Sequence, residues 1–216
     1  TVKPGFYFYA SDPLDKYFLF GGASRNSIDD LDLFLLFELK KYRPALYGNF
    51  YWVTRNLKRM DSPTSVDGLD YDNVKFKSSD TYMMFSADLG ARSFYKGHYF
   101  SFNYNYSKYT AHSQGYTNLL HNNELESSYP FDITYDYYRG HKLTLGYDFK
   151  NYSPRYAFNM IPQNGYEINT DLSMEKNQFD PSFEVSEEYG TLNLVFSSHD
   201  AYRMNINLRK NTALVE

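Results

Sequence analysis

Residues 100–107 read FSFNYNYS and residues 202–209 read YRMNINLR. Both stretches alternate an apolar or aromatic side chain with a polar one, and neither breaks step. Successive side chains of an extended strand leave opposite faces, so a period of two marks a strand with one apolar side. Phe100, Phe102, Tyr104 and Tyr106 then share a face against Ser101, Asn103, Asn105 and Ser107. Likewise Tyr202, Met204, Ile206 and Leu208 oppose Arg203, Asn205, Asn207 and Arg209. An amphipathic helix would need its apolar residues three and four apart, and neither stretch offers that.

The alternation extends outward from these stretches along the chain. Leu31, Leu33, Leu35, Phe37 and Leu39 share a face with Asp32 and Glu38 opposite, although Phe34 and Leu36 make that second face partly apolar. Within 45–56, Leu46, Phe50 and Trp52 lie together. Met83, Phe85, Ala87, Leu89 and Ala91 oppose Ser86, Asp88, Gly90 and Arg92. Phe131, Ile133, Tyr135 and Tyr137 oppose Asp132, Thr134 and Asp136. Leu143, Leu145, Tyr147 and Phe149 oppose Thr144, Gly146, Asp148 and Lys150. Tyr166, Ile168, Leu172 and Met174 oppose Glu167, Asn169, Asp171, Ser173 and Glu175.

A soluble sandwich alternates too, but two features favour a membrane barrel. The polar faces carry Asp, Asn, Lys, Arg and Gly with little Thr or Val, which suits a hydrated lumen. Many segments run about 9 to 13 residues, against about 5–6 for ordinary strands, and a tilted strand needs roughly 9–11 to cross a bilayer. Only a closed barrel satisfies every backbone amide of a strand structure within lipid. The expected fold is therefore all-β, an antiparallel transmembrane β-barrel of about 12 or more strands, with residues 1–216 forming one barrel domain or a large segment of one. Of these apolar residues, Leu33, Leu35, Phe37, Phe50, Trp52, Phe85, Leu89, Phe100, Phe102, Leu143, Leu145, Ile168, Leu172, Met204 and Ile206 would meet lipid. The charged and amide residues opposite them, from Asp32 and Glu38 through Asp88, Arg92, Asn103, Asn105, Asp132, Asp136, Asp148, Lys150, Glu167 and Asp171 to Arg203 and Arg209, would line the lumen.

Composition removes several function classes. Tyr (24) and Phe (18) dominate an aromatic share of 20%, which is foreign to disordered chains. A net charge of −4 argues against a nucleic-acid partner. No run approaches the roughly 18 apolar residues of a membrane helix. With no cysteine there is no disulfide framework, thiol nucleophile or zinc–thiolate site. The chain opens TVKPG and reads as a mature or excised segment.

Tight turns are expected at Ser11–Asp15, Lys40–Arg43, Tyr95–Gly97 and Arg139–His141, with long outer loops at Leu57–Asp80 and Ser113–Pro130. Short turns at one end and long loops at the other are the usual barrel asymmetry. The expected strands fall near 5–10, 16–24, 31–39, 45–56, 80–93, 98–111, 131–138, 142–151, 165–175, 188–197 and 201–209, which makes eleven. Bacterial single-chain barrels usually have an even number. Either a further strand lies in Tyr152–Gln163 or the segment is incomplete.

The stretches FDITYDYYRGHKLTLGYDFKNYSP (131–154) and IPQNGYEINTDLSME (161–175) resemble strand pairs of large outer-membrane barrels, in particular the bacterial surface-antigen barrels related to outer-membrane assembly factors. YRPALYGNFYWVTRN (42–56) resembles strands of barrels linked to TolB-like propellers. The chain departs from the assembly factors in lacking a VRGF/Y-type motif. The resemblance implies envelope transport or assembly; with the polar faces as a lumen and no catalytic constellation, the expected role is a transport or assembly component, or a channel, of the bacterial outer membrane, without enzymatic activity. Its partners would be outer-membrane lipids and other envelope proteins.

Catalytic signals are thin. Ser197, Ser198, His199 and Asp200 are adjacent, yet side chains diverge in a tight turn, so a barrel hydrolase is an alternative without a constellation behind it. Asp61, Asp67, Asp70, Asp72 and Asp80 lack the spacing of a calcium loop. Neither a metal nor a cofactor is expected. A soluble all-β glycan-binding domain with a Tyr-rich surface is the remaining alternative.

Overall fold

The computed structural model describes residues 2–60, 73–122, 124–152, 164–185 and 192–212. Among these there is no helix, and nine strands form one antiparallel sheet in chain order. They are β1 (Gly5–Ser11), β2 (Tyr17–Arg25), β3 (Leu31–Leu39), β4 (Ala45–Met60), β5 (Asn73–Tyr95), β6 (His98–His121), β7 (Glu124–Tyr152), β8 (Asn164–Val185) and β9 (Leu192–Thr212). Each strand pairs with its sequence neighbours. Among the described residues β1 pairs only with β2 and β9 only with β8, so the sheet is open and not closed into a barrel.

Nine strands replace the eleven expected because two expected turns lie inside strands. Arg139–His141 belongs to β7, where pairing to β6 and β8 runs on without interruption, and Ser197–Asp200 belongs to β9. Gly140 serves packing there and not a turn: a Cβ on it would lie 2.2 Å from the Tyr138 hydroxyl and 2.8 Å from Asn177 Oδ1. The loop expected over Ser113–Pro130 is instead a hairpin extension, with β6 running to His121 and β7 starting at Glu124. The Tyr95–Gly97 turn forms as expected. Lys96 and Gly97 carry φ of 45° and 86°, the left-handed pair that matches the twist of a two-residue hairpin. Residues 61–72, with Asp61, Asp67, Asp70 and Asp72, and residues 153–163 lie outside the described residues, while Asp80 is part of β5.

Paired residues of an antiparallel sheet share a face, so the registers carry face identity from strand to strand. Leu33 pairs with Trp52, Trp52 with Phe85, Leu35 with Phe50, Phe102 with Leu145, Leu145 with Leu172 and Leu172 with Met204. Every residue expected to meet lipid stands on this one face. The opposite face is concave, because side chains meet there across an intervening strand. Tyr7 of β1 lies 5.9 Å from Phe34 of β3, Tyr82 of β5 lies 6.4 Å from Tyr137 of β7, and Arg92 of β5 pairs with Glu38 of β3.

Two expected lumen residues are on the other side. Tyr138 pairs with Tyr109 while Asp136 pairs with Thr110, so Tyr137 is one residue too many on β7. A β-bulge of this kind reverses the alternation beyond it. Asp132 and Asp136 therefore stand on the convex face with Leu143, while Ile133 and Tyr135 turn to the concave one.

Candidate functional site

On the convex face an apolar band crosses all nine strands. It runs through Phe6 and Phe8 of β1, Leu19 of β2, Leu31–Leu39 of β3, Phe50 and Trp52 of β4, Phe85 and Leu89 of β5, Phe100 and Phe102 of β6, Leu143 and Leu145 of β7, Ile168 and Leu172 of β8 and Met204 and Ile206 of β9. These side chains are open: Trp52 is 49% exposed, Phe100 52% and Met204 61%. Ala111 and Leu120, each 5% exposed, are the buried hydrophobic residues among those described. Among the described residues this sheet thus exposes a large apolar surface and has little core.

Rings edge the band at both ends. At the short-turn end His98 packs 4.7 Å from Phe149 and its Nδ1 lies 2.9 Å from the Tyr147 hydroxyl, with Tyr95 and Tyr166 beside them. Lys210 lays its ammonium 5.9 Å from the Tyr166 ring centre. At the other end His141 Nδ1 is 2.7 Å from the Tyr104 hydroxyl and packs 5.0 Å from Tyr106. Immediately beyond come charges. Asp136 accepts from Thr110 at 2.7 Å and pairs with Lys108 at 3.1 Å and with Arg139. Along the convex face the order is therefore apolar side chains, then amphipathic rings, then charges.

The band also slants across the register. From Trp52 the pairing leads through Phe85, Lys108, Arg139 and Gln178 to Ser198, yet beyond Ser198 and Asp200 the next apolar residue on that face of β9 is Tyr202, four residues further on. From Leu39 it leads through Leu46, Ala91, Phe102, Leu145 and Leu172 to Met204, and the band on β9 ends at Leu208, again four residues beyond. Over five and six strands, that is about 0.7–0.8 residue per strand.

The concave face divides in two. On β1 to β3 it is aromatic, with Phe20 5.2 Å from Phe34 and 6.5 Å from Tyr7. From β5 onward it is polar. Asn105 donates to Asp88 at 2.7 Å, Lys142 pairs with Glu175 at 2.7 Å, and Lys150 with Glu167 at 2.9 Å. Asn103 faces Gly90, Asp148 faces Asn169, Asp171 faces Asn205, Arg203 faces Ser173 and Arg209 faces Glu167. At the edge Asp32 holds Lys3 at 2.7 Å and Arg55 at 2.5 Å. Glu38 and Arg92 join β3 to β5 across Tyr47, flanking a cavity of about 220 Å³ whose walls include Phe18, Asn49 and Tyr99. Opposite charges thus neutralise one another over much of this wall.

The β2–β3 turn is clamped to β4. Asp30, 7% exposed, accepts the Asn56 backbone N–H at 2.7 Å and the Asn26 side-chain amide at 2.8 Å. The Asn56 N–H, more than any other group, holds its carboxyl below the ordinary value of 3.8.

No hydrolytic arrangement forms at the sequence candidates. Ser197 and His199 point to the concave face and Ser198 and Asp200 to the convex one, as alternation within β9 demands. His112 meets both Thr134 and Asp132 through its Nδ1, whereas a relay needs one partner on each ring nitrogen. Groups of three metal-ligating side chains are absent among the described residues.

Alternation did not reveal a run of rings on the concave face formed by Tyr82, Tyr109, Tyr137, Tyr138, Phe179 and His199. The adjacent pair Tyr137–Tyr138 breaking the period was its only trace in the sequence. A scan against protein-family models and searches of curated proteins and of solved structures find no match to this chain.

Proposed function

We propose that this sheet is part of the wall of a transmembrane β-barrel in a bacterial outer membrane, acting as a non-enzymatic transport or assembly component or channel. The carrying observation is the open apolar band, edged by rings, that crosses all nine strands opposite a hydrogen-bonded polar face. A soluble sandwich would bury that band beneath a second sheet. On β3 the band runs from Leu31 to Leu39, roughly 27 Å along the strand at ~3.4 Å per residue. A tilt of about 40° brings it to about 20 Å, near the ~25 Å apolar belt of outer-membrane barrels.

The slant supports the same reading. A level lipid slab cuts tilted strands at successively later residues. Eight-stranded barrels with a stagger of one residue per strand tilt by about 36°, within the roughly 35–45° range of membrane barrels. The observed drift of about 0.7–0.8 residue per strand has the sense and the order of that stagger. Outer-membrane lipids are then direct partners, and the long hairpins of β4–β5 and β6–β7 face the outside. The mutual pairing of the concave charges suits a lumen that passes or holds polar solutes with little preference for either sign.

Trp52 tests this. In liposomes containing brominated acyl chains, its fluorescence is expected to be strongly quenched and blue-shifted. An unquenched Trp52 in folded protein that needs no detergent overturns the membrane reading.

A further inference from the structure

The concave rings form a ledge that crosses β5 to β9. Tyr82 lies 6.4 Å from Tyr137, which lies 5.8 Å from Tyr109; Tyr109 stacks 4.8 Å from Tyr138. Tyr138 is 5.1 Å from Phe179, and Phe179 is 5.8 Å from His199. The bulge makes the ledge continuous, because it sends two consecutive rings of β7 to one face. Its centre is fixed: Tyr138 lies over Gly140, which has no Cβ to obstruct it, and its hydroxyl donates to Asn177 Oδ1 at 3.2 Å.

This ledge is more than an internal packing cluster. Tyr82 and Phe179 are each 41% exposed, so rings present open faces. The concave rows next to it toward the short-turn end hold hydrogen-bonding groups, first Ser86, Ser107 and Asn177, then Asp88, Asn105, Lys142 and Glu175. Flat apolar rings beside amides, hydroxyls and carboxylates complement a ligand with C–H faces and a hydroxyl rim. Lys142 is already paired with Glu175 at 2.7 Å and Asp88 accepts from the Asn105 amide at 2.7 Å, so these rows offer no open cation to an anionic ligand.

We infer that the ledge binds a neutral oligosaccharide, whose sugar rings stack on the open rings of Tyr82 and Phe179, with Tyr109, Tyr137 and Tyr138 packed between them, while its hydroxyls bond the neighbouring polar rows. This names the cargo class of the proposed barrel, and it rests on that reading for its place at the outer mouth. Isothermal titration of the folded protein in detergent micelles with maltohexaose and with chitohexaose tests it. At least one is expected to bind, with affinity falling about tenfold in Tyr138→Ala and unchanged in Tyr47→Ala, which removes a concave ring outside the ledge. Gly140→Ala, which displaces the Tyr138 hydroxyl while keeping its ring, is expected to weaken binding as well and serves if Tyr138→Ala does not fold. Absence of binding by both sugars, or equal losses in Tyr138→Ala and Tyr47→Ala, overturns the inference. Trp52 quenching is independent of sugar, so failure of this site and failure of the barrel reading are distinguishable.

Discussion

Gly48 and Gly90 offer a paired test of which side of the sheet is packed. Both lie under an aromatic ring, on opposite faces. A Cβ at Gly48 would come 2.3 Å from Phe37 Cε1 and 3.1 Å from Leu89 Cδ2; one at Gly90 would come 2.2 Å from Tyr47 Cζ and 2.4 Å from its hydroxyl. In each case the ring must move. Phe37 is on the convex face, where on the barrel reading it can swing outward into lipid. The strain is then about 0.5–1.5 kcal/mol, offset by the ~0.4–1 kcal/mol that a methyl contributes by restricting the unfolded chain. Gly48→Ala should therefore stay within about 1 kcal/mol of the parent. Tyr47 has no such freedom, because Arg92 sits 5.9 Å from its ring centre and is itself held by Glu38. Overpacking there costs about 1–3 kcal/mol, and losing the cation–π contact adds about 0.5–1. Gly90→Ala should thus be the less stable of the two by about 2 kcal/mol. Urea unfolding in vesicles, followed by Trp52 fluorescence, gives the two midpoints. Equal losses, or a larger loss in Gly48→Ala, would mean that the convex band is packed like a protein core, and the reasoning fails.

Two further outcomes follow from charges at the band's margin. The Asp30 carboxyl is held below 3.8, so its stabilisation is present in full above that value and is lost as pH falls through the lower folded-state value. Unfolding midpoints should hold from pH 7 down to about 4 and then fall, and Asp30→Asn should flatten that acid limb. Asp136→Ala releases Lys108 and Arg139 at the edge of the apolar band. Anionic over zwitterionic lipid should then be enriched near Trp52 by up to about fivefold, read from quenching by the two brominated lipids at low salt, and 1 M salt should abolish the gain.

The strands were legible because alternation is enforced from both sides: each residue of the band faces either an apolar phase or a polar wall, and Leu143 to Phe149 show no exception. Their ends were less legible. RGH at 139–141 and SSHD at 197–200 carry turn-forming residues, yet at 140 the glycine makes room for a ring, and at 197–200 the ladder to β8 outweighs local preference. Asp132 and Asp136 were assigned to the wrong face because a single inserted residue leaves composition and local period intact; only pairing with β6 exposes it. The aromatic ledge needs five strands in register, so no window of sequence contains it. The clamp of Asp30 on Asn56 likewise joins residues 26 positions apart.

The strands differ greatly in length. β1, β2 and β3 have 7, 9 and 9 residues, whereas β6 and β7 have 24 and 29. Beyond Lys108, β6 continues to His121, about 44 Å along the strand at ~3.4 Å per residue. In the proposed barrel such a wall has the profile of a jug: the Asn26–Asp30 turn is the lip and β5 to β9 are the tall back, with the aromatic ledge on its inner surface. On that reading a ligand arriving over the lip reaches the ledge from the side, without climbing over the back.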